Sequence, residues 1–228
     1  MCRKMKAAVM IAVMIAVIVI CRDAGKRLKE SIMEAAETGA EASGSCLIVL
    51  DPGHGGIDAG KIGINNAEEK QINLEISLKI KKLLEDGGIT VIMTRTEDNR
   101  LADTQKQDLM ERVKIMNEEQ PALVVSIHQN SYQESGVRGP QVFYYTDSAE
   151  AETAAEILQS ELNKMDPSYT RKEKANSSYY ILKQTEVPVV IVECGFLSNA
   201  EEAEKLISEE YQNTVANAVV SGIEKYIN

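Results

Sequence analysis

From Cys46 onward, apolar runs and amphipathic stripes alternate along the chain. Short apolar or β-branched runs predict strands at Cys46–Leu50, Ile89–Met93, Leu123–Ile127, Gln141–Tyr145 and Val187–Val192, with a further one at Tyr179–Leu182. Continuous runs of this kind mark strands covered on both faces. Between them lie helix patterns at Ala67–Asp86, Thr104–Glu119 and Ser148–Met165, followed by a C-terminal pair from Ala200 to Ile227. In the first helix Ile72, Ile76, Ile80 and Leu83 recur at helical spacing, and Leu74, Leu78 and Leu84 widen the stripe. Gly87-Gly88 ends it. This alternation predicts an α/β domain with a single, mostly parallel six-stranded sheet flanked by helices on both faces. A sheet of that kind gathers its chemistry at the carboxyl edge of its strands.

The N-terminus follows a different pattern. Arg3, Lys4 and Lys6 precede an uninterrupted apolar run from Ala7 to Cys21, which Arg22 closes. A basic stretch followed by a short apolar one has the form of a secretory signal. At 1.5 Å per residue the run spans about 22 Å, short of the roughly 30 Å hydrocarbon core. Its end, with Ile18, Ile20 and Arg22, offers no small-x-small cleavage site. Residues 1–21 are therefore expected to be a signal peptide or a membrane anchor, and the protein to be exported. Residues 22–45, ending in the flexible GAEASGS stretch, are expected to be a connector, and 46–228 the main folded domain.

Composition narrows the partners. The net charge is −10, with 35 acidic against 25 basic residues. Nucleic acid is an unsuitable partner, because phosphate binding calls for a basic surface. Four cysteines are present, Cys2, Cys21, Cys46 and Cys194. Cys46 opens one strand and Cys194 ends another, so about 15 Å of strand separates their levels. No disulfide is expected between them.

The chain has two histidines, and each follows an apolar strand. His54 sits in Asp51-Pro52-Gly53-His54-Gly55-Gly56, and His128 closes Val124-Val125-Ser126-Ile127-His128. Glycines at such a turn let the backbone approach an ion or substrate closely. Two imidazoles at one sheet edge suggest metal ligands. A third ligand should come from Glu68 or Glu69 at the start of the first helix. Spacing alone does not separate them, and either is equally an N-terminal acid favoured by the helix dipole. Glu193 ends the run Val187–Val192. A carboxylate at a buried strand end has a raised pKa unless it is paired, which suits a general base and acid beside a metal. Asn130, Ser198 and Asn199 lie just past these strands, where they either orient substrate or bond within loops.

DPGHGG, an Glu69-Lys70 pair fifteen residues further on, SIHQN and VECGFLSN resemble, in that order, the zinc-dependent N-acetylmuramoyl-L-alanine amidases of the Amidase_3 type. The match runs from about Leu47 to the C-terminus. The resemblance implies one zinc ion per chain, held by His54, Glu69 and His128, with Glu193 as the catalytic carboxylate. It implies structural roles for Arg95 and Arg112. The substrate implied is peptidoglycan, cut between N-acetylmuramic acid and L-alanine. A short, membrane-targeted catalytic domain is similar to the sporulation amidases of the CwlD type, which act on spore cortex in muramic-δ-lactam formation. The expected location is then extracytoplasmic, at the cell wall or in the forespore intermembrane space. The loop Gln129–Pro140 is too short for an occluding helix, so control would fall to expression, location or an activating protein partner. One alternative, a zinc peptidase cutting within the stem peptide, shares every metal feature; the other is a non-enzymatic, degenerate amidase fold that binds wall or activates another enzyme, a kind that usually loses a ligand or the base, whereas all four positions are filled here.

Overall fold

The computed structural model describes residues 46–228. The expected signal or anchor at 1–21 and the connector at 22–45 lie outside the described residues. Six strands form one sheet in the order β2-β1-β3-β6-β4-β5. They are β1 Leu47–Pro52, β2 Thr90–Met93, β3 Leu123–Asn130, β4 Gln141–Tyr145, β5 Lys174–Asn176 and β6 Val189–Phe196. β2, β1, β3 and β6 run parallel, β4 is antiparallel to β6, and β5 is parallel to β4. The helices are α1 Glu69–Asp86, α2 Gln105–Glu119, α3 Ala149–Asn163, α4 Tyr180–Gln184, α5 Ala200–Leu206 and α6 Glu209–Ile227.

Alternation along the buried strands divides the interior. Ile48 and Leu50 of β1, Val125 and Ile127 of β3, and Val190, Val192 and Cys194 of β6 join the larger apolar cluster with α1, α3, α5 and α6. Val49, Val124, Val189 and Ile191 turn the other way, toward Val113 and Met116 of α2 and Ile181 and Leu182 of α4. Side chains two apart share a face. Asp51, Ser126, His128 and Glu193 therefore continue the smaller cluster's face toward the carboxyl edge. There β3 and β6 pair His128 with Glu193.

The helices start where short polar side chains can hold the first amides. Thr104 accepts from the Gln107 amide at α2, Ser148 from Ala151 at α3, Asn199 from Glu202 at α5 and Ser208 from Tyr211 at α6. The last two caps split the expected C-terminal pair.

Two local expectations need correction. Tyr179–Leu182 is not a strand: α4 occupies Tyr180–Gln184, and the sixth strand is β5. A short apolar run reads equally well as strand or helix. β5, with the sequence Lys-Ala-Asn, is largely exposed at the sheet edge and has no apolar signature. On α1 the buried stripe runs through Ile72, Ile76, Ile80 and Leu84, whereas Leu83 is only partly buried and Leu78 is exposed. Cys46 and Cys194 are free thiols.

Candidate metal centre

The loop after β1 is held by backbone and by two buried arginines. The Gly53 amide donates to the Ile127 carbonyl, so the β1–β3 ladder continues past Pro52. Arg95 donates to the carbonyls of Pro52 and Gly53, and Arg112 to those of Pro52 and His54. His54 is left in the left-handed region at φ 62°. A non-glycine residue there is uncommon and persists only where its surroundings impose it. Gly53 has a steric role as well: a Cβ on it would lie 2.2 Å from Cε1 of His128. Only glycine lets the His128 ring lie against this strand end.

Glu69, the first residue of α1, is 2% exposed and reaches between the two imidazoles. Its Oε1 lies 3.0 Å from Nδ1 of His128, and its Oε2 lies 3.4 Å from Nε2 of His54. The carboxylate is fixed independently by three donors. The Gln129 amide (3.1 Å) and Asn73 Nδ2 (3.4 Å) bond Oε1, and the Lys61 amide (2.8 Å) bonds Oε2. Asn73 also donates to the Gly53 carbonyl and accepts from the Gln129 side chain, which locks α1 to both histidine strands. Glu68 turns away and pairs with Lys70 at 3.3 Å. The tertiary structure thus selects the second of the two adjacent glutamates.

His54, Glu69 and His128 each offer one ligand atom, and these atoms all lie within 4.8 Å of one another. The two imidazole rings stand edge to face, 5.1 Å between centroids. Nδ1 of His54 is held 3.0 Å from Asp58 Oδ2, so its Nε2 faces the trio. Asp58 is fixed in turn by the Gly60 amide. A carboxylate behind a ligating histidine is the usual means of orienting the ring and raising its basicity. Two nitrogens and one carboxylate oxygen, with no fourth protein ligand among the described residues, suit a divalent metal such as zinc with one position open.

The electrostatics agree with a site built for a cation. Burial disfavours a charged Glu69, yet hydrogen bonds and charge from His128 and His54 hold its carboxyl well below the usual range. Burial also opposes a charged His54, but Glu69 and Asp58 push it up to about 9. Because these carboxylates favour the protonated imidazole, metal binding at Nε2 of His54 would be coupled to release of a proton.

Glu193 lies on β6 beside His128. It is 9% exposed, and its Oε2 has no hydrogen-bond partner. Burial pushes its pKa up to about 7, with Glu69 adding to the rise and the two histidines opposing it. A buried carboxylate with a free oxygen beside a cation site can take up and release a proton near neutrality.

The remaining residues singled out in the sequence are occupied in loops. Asn130 Oδ1 accepts from the Ser131 amide, Ser198 Oγ from the Tyr132 amide, and Asn199 caps α5 while donating to the Ser135 carbonyl. Arg95 and Arg112 serve the loop backbone, as expected. Asp58, Asn73 and the Gln129 amide were not anticipated. Asp58-Ala59-Gly60 does carry a legible turn signal, an aspartate two residues before a glycine. No described helix is long and apolar enough to cross a membrane.

Comparison with known proteins agrees with the fold. The family described as N-acetylmuramoyl-L-alanine amidase matches residues 48–225. The germination-specific N-acetylmuramoyl-L-alanine amidase of Bacillus subtilis (strain 168) is 37% identical over 188 residues, 79% of each chain. The solved structure of the CwlD amidase from Clostridioides difficile, in complex with the GerS lipoprotein, matches with a TM-score of 0.76 at 38% identity. That match covers 79% of this chain and 98% of the other. The catalytic domain of CwlV, an amidase from Bacillus (Paenibacillus) polymyxa var. colistinus, gives a TM-score of 0.70 at 30% identity, covering 79% and 97%. The expected likeness to the CwlD type is borne out, and the chain belongs to the N-acetylmuramoyl-L-alanine amidase family.

Proposed function

We propose that this protein is a zinc-dependent hydrolase of the amide bond joining N-acetylmuramic acid to L-alanine in peptidoglycan, and that its setting is the spore cortex. The observation that carries the reading is the unpartnered oxygen of buried Glu193 beside the trio His54, Glu69 and His128. In this reading the trio holds one zinc ion. When bound, zinc supplies a Lewis acid for the lactyl carbonyl and makes a water acidic near neutral pH. Asp58 keeps Nε2 of His54 facing the ion, and the Lys61 and Gln129 amides keep Glu69 in place. Glu193 accepts the proton of the attacking water. It then delivers that proton to the departing nitrogen of L-alanine, because an amide nitrogen leaves poorly unless protonated.

The apolar segment at 7–21 supports export and attachment to a membrane, with the catalytic domain acting outside the cytoplasm. The relative solved with a lipoprotein supports a protein partner for this chain as well. The test is mass spectrometry of spore and vegetative peptidoglycan after digestion by the zinc-loaded protein. Amidase action frees the amino group of L-alanine, whereas a peptidase frees an internal amino group and defeats the reading. Glu193→Ala should retain zinc and lose at least ~10² in turnover. An active Glu193→Ala protein removes that residue from the mechanism.

A further inference from the structure

Where the larger apolar cluster meets solvent, the protein opens a cavity of ≈ 210 Å³ whose walls include none of His54, Glu69, His128 and Glu193. Its floor is apolar: Leu162 of α3, Met165 just past that helix, and Tyr211 near the start of α6. Gly139 and Pro140, ahead of β4, form one wall. Glu202 of α5 ties that wall to the end of β6. Its Oε1 accepts from the Gly139 amide at 2.9 Å and its Oε2 from the Phe196 amide at 2.8 Å. Both oxygens are thereby used, so Glu202 builds the wall. The mouth is charged, with Arg138 and Lys205 set among Asp166 and Glu201. Lys205 pairs with Glu201. The guanidinium of Arg138 makes no hydrogen bond or ion pair among the described residues. It lies over the ring of Tyr169, with Cζ 4.8 Å from the centroid. That ring is seated on Gly139, where a Cβ would come 3.0 Å from Cδ1. An arginine stacked on an aromatic face keeps its N–H edge available to a planar acceptor.

The four charges at the mouth act on one another. Ser168 does most to hold the Asp166 carboxyl below its usual range, and Arg138 and Lys205 add to it. Lys205 does the same for Glu201, with Arg138 adding again. This arrangement narrows the occupant. The volume is below the roughly 300–1,000 Å³ of a site for a drug-sized molecule, so the ligand is small. A sugar on this floor would leave hydroxyls without partners, at a cost for each. A plain anion would meet Asp166 and Glu201, and a plain cation would meet Arg138 and Lys205. A wholly apolar ligand would strip water from four charges and return nothing to them. What remains is a short molecule with both charges at one end and an apolar group at the other. A free α-amino acid has that form: its carboxylate suits a guanidinium, its ammonium suits Asp166, and its side chain suits the floor.

We propose that this cavity is a binding site for a free α-amino acid with an apolar side chain, its carboxylate on Arg138, its ammonium on Asp166 and its side chain on Leu162, Met165 and Tyr211. The experiment is saturation-transfer NMR on the full chain with L-leucine, L-leucinamide and N-acetyl-L-leucine as probes. L-Leucine should bind, with the strongest transfer to its methyl protons. Removing either charge from the ligand should weaken binding ~10-fold or more, the scale of one charged hydrogen bond lost. Arg138→Gln should weaken L-leucine by the same factor and leave L-leucinamide no weaker. Asp166→Asn should weaken L-leucine and leave N-acetyl-L-leucine no weaker. Thr214→Trp, from an exposed position on the cavity wall, should block all transfer. Thermal melting establishes that each variant is folded, and the two charge variants carry the test if Thr214→Trp is not. No transfer to L-leucine at ~10 mM overturns the proposal, because two charged contacts would hold it more tightly than that. Equal binding of all three probes overturns it as well, as does a folded Thr214→Trp protein that binds like the wild type. Neither result bears on the hydrolase reading, which the peptidoglycan digest tests separately.

Discussion

Replacing Arg112 by methionine tests whether the buried ion pair beneath the centre holds the His54 loop. Arg112 is 1% exposed and Asp51 is fully buried. The guanidinium makes four close bonds: to Asp51 Oδ1 at 2.6 Å, Asp108 Oδ2 at 2.8 Å, the Pro52 carbonyl at 2.8 Å and the His54 carbonyl at 2.7 Å. Methionine fills similar space and makes none of them. Asp51 then keeps only the hydroxyls of Thr94 (2.6 Å) and Ser126 (2.7 Å) as donors. Burial already pushes the Asp51 carboxyl up, and attraction from Arg112 is the main force that holds it down. The Pro52 carbonyl retains Arg95, but the His54 carbonyl loses a charged donor. Removing one partner of a buried pair costs about 3–5 kcal/mol. With a urea slope of about 2 kcal/mol per molar, the unfolding midpoint should fall by roughly 2 M. The double variant Asp51→Asn/Arg112→Met removes the stranded charge as well. It should recover at least ~1 kcal/mol relative to the sum of the single variants, a coupling expected of groups in one network. The assay is equilibrium urea unfolding of all four proteins. A single Arg112→Met variant within ~1 kcal/mol of wild type, or strict additivity in the cycle, would refute the argument.

Asp58→Asn should weaken zinc binding by roughly 10–100-fold, because the amide orients the His54 ring poorly and does not raise its basicity; titration with a competing chelator measures this, and unchanged affinity sinks the role given to Asp58. Removing zinc should lower the melting temperature. Metal at a hundred times its dissociation constant contributes about 2.7 kcal/mol, or roughly 5–10 °C for a domain of this size, so an identical melt with and without chelator contradicts the metal site. Glu161 should make stability fall in acid. Burial opposes its charge, but Lys164, Lys225 and Ser221 lower its pKa from 4.5 to about 2. A folded pKa below the unfolded one gives stability that is complete above about 4.5 and lost as pH falls toward 2. Glu161→Gln should flatten the stability profile in that window, and an unchanged acid slope would exclude this carboxylate as a cause.

The strands that carry His54, His128 and Glu193 were readable because each is covered on both faces and so is apolar throughout. β5 was not readable, because three exposed polar residues at a sheet edge owe their conformation to pairing with β4. The same holds for α4: Tyr180–Gln184 is too short to display a period, and packing of Ile181 and Leu182 under the sheet decides its form. Leu78 shows the limit of the stripe argument. It is apolar and lies in the predicted band, yet it is exposed.

The sequence by itself determined that an α/β sheet would bring both histidines and Glu193 to its carboxyl edge. Alternating apolar runs and helical stripes are local properties, and a parallel strand must end where its loop begins. Tertiary structure alone decided that Glu69 rather than Glu68 faces the imidazoles, that Asp58 stands behind His54, and that Gly53 makes room for the His128 ring. Neighbours on a helix differ by about 100° in direction. Which of them meets a partner depends on how that helix is docked, and here Asn73 and the Lys61 and Gln129 amides, drawn from three separate stretches of chain, fix the docking.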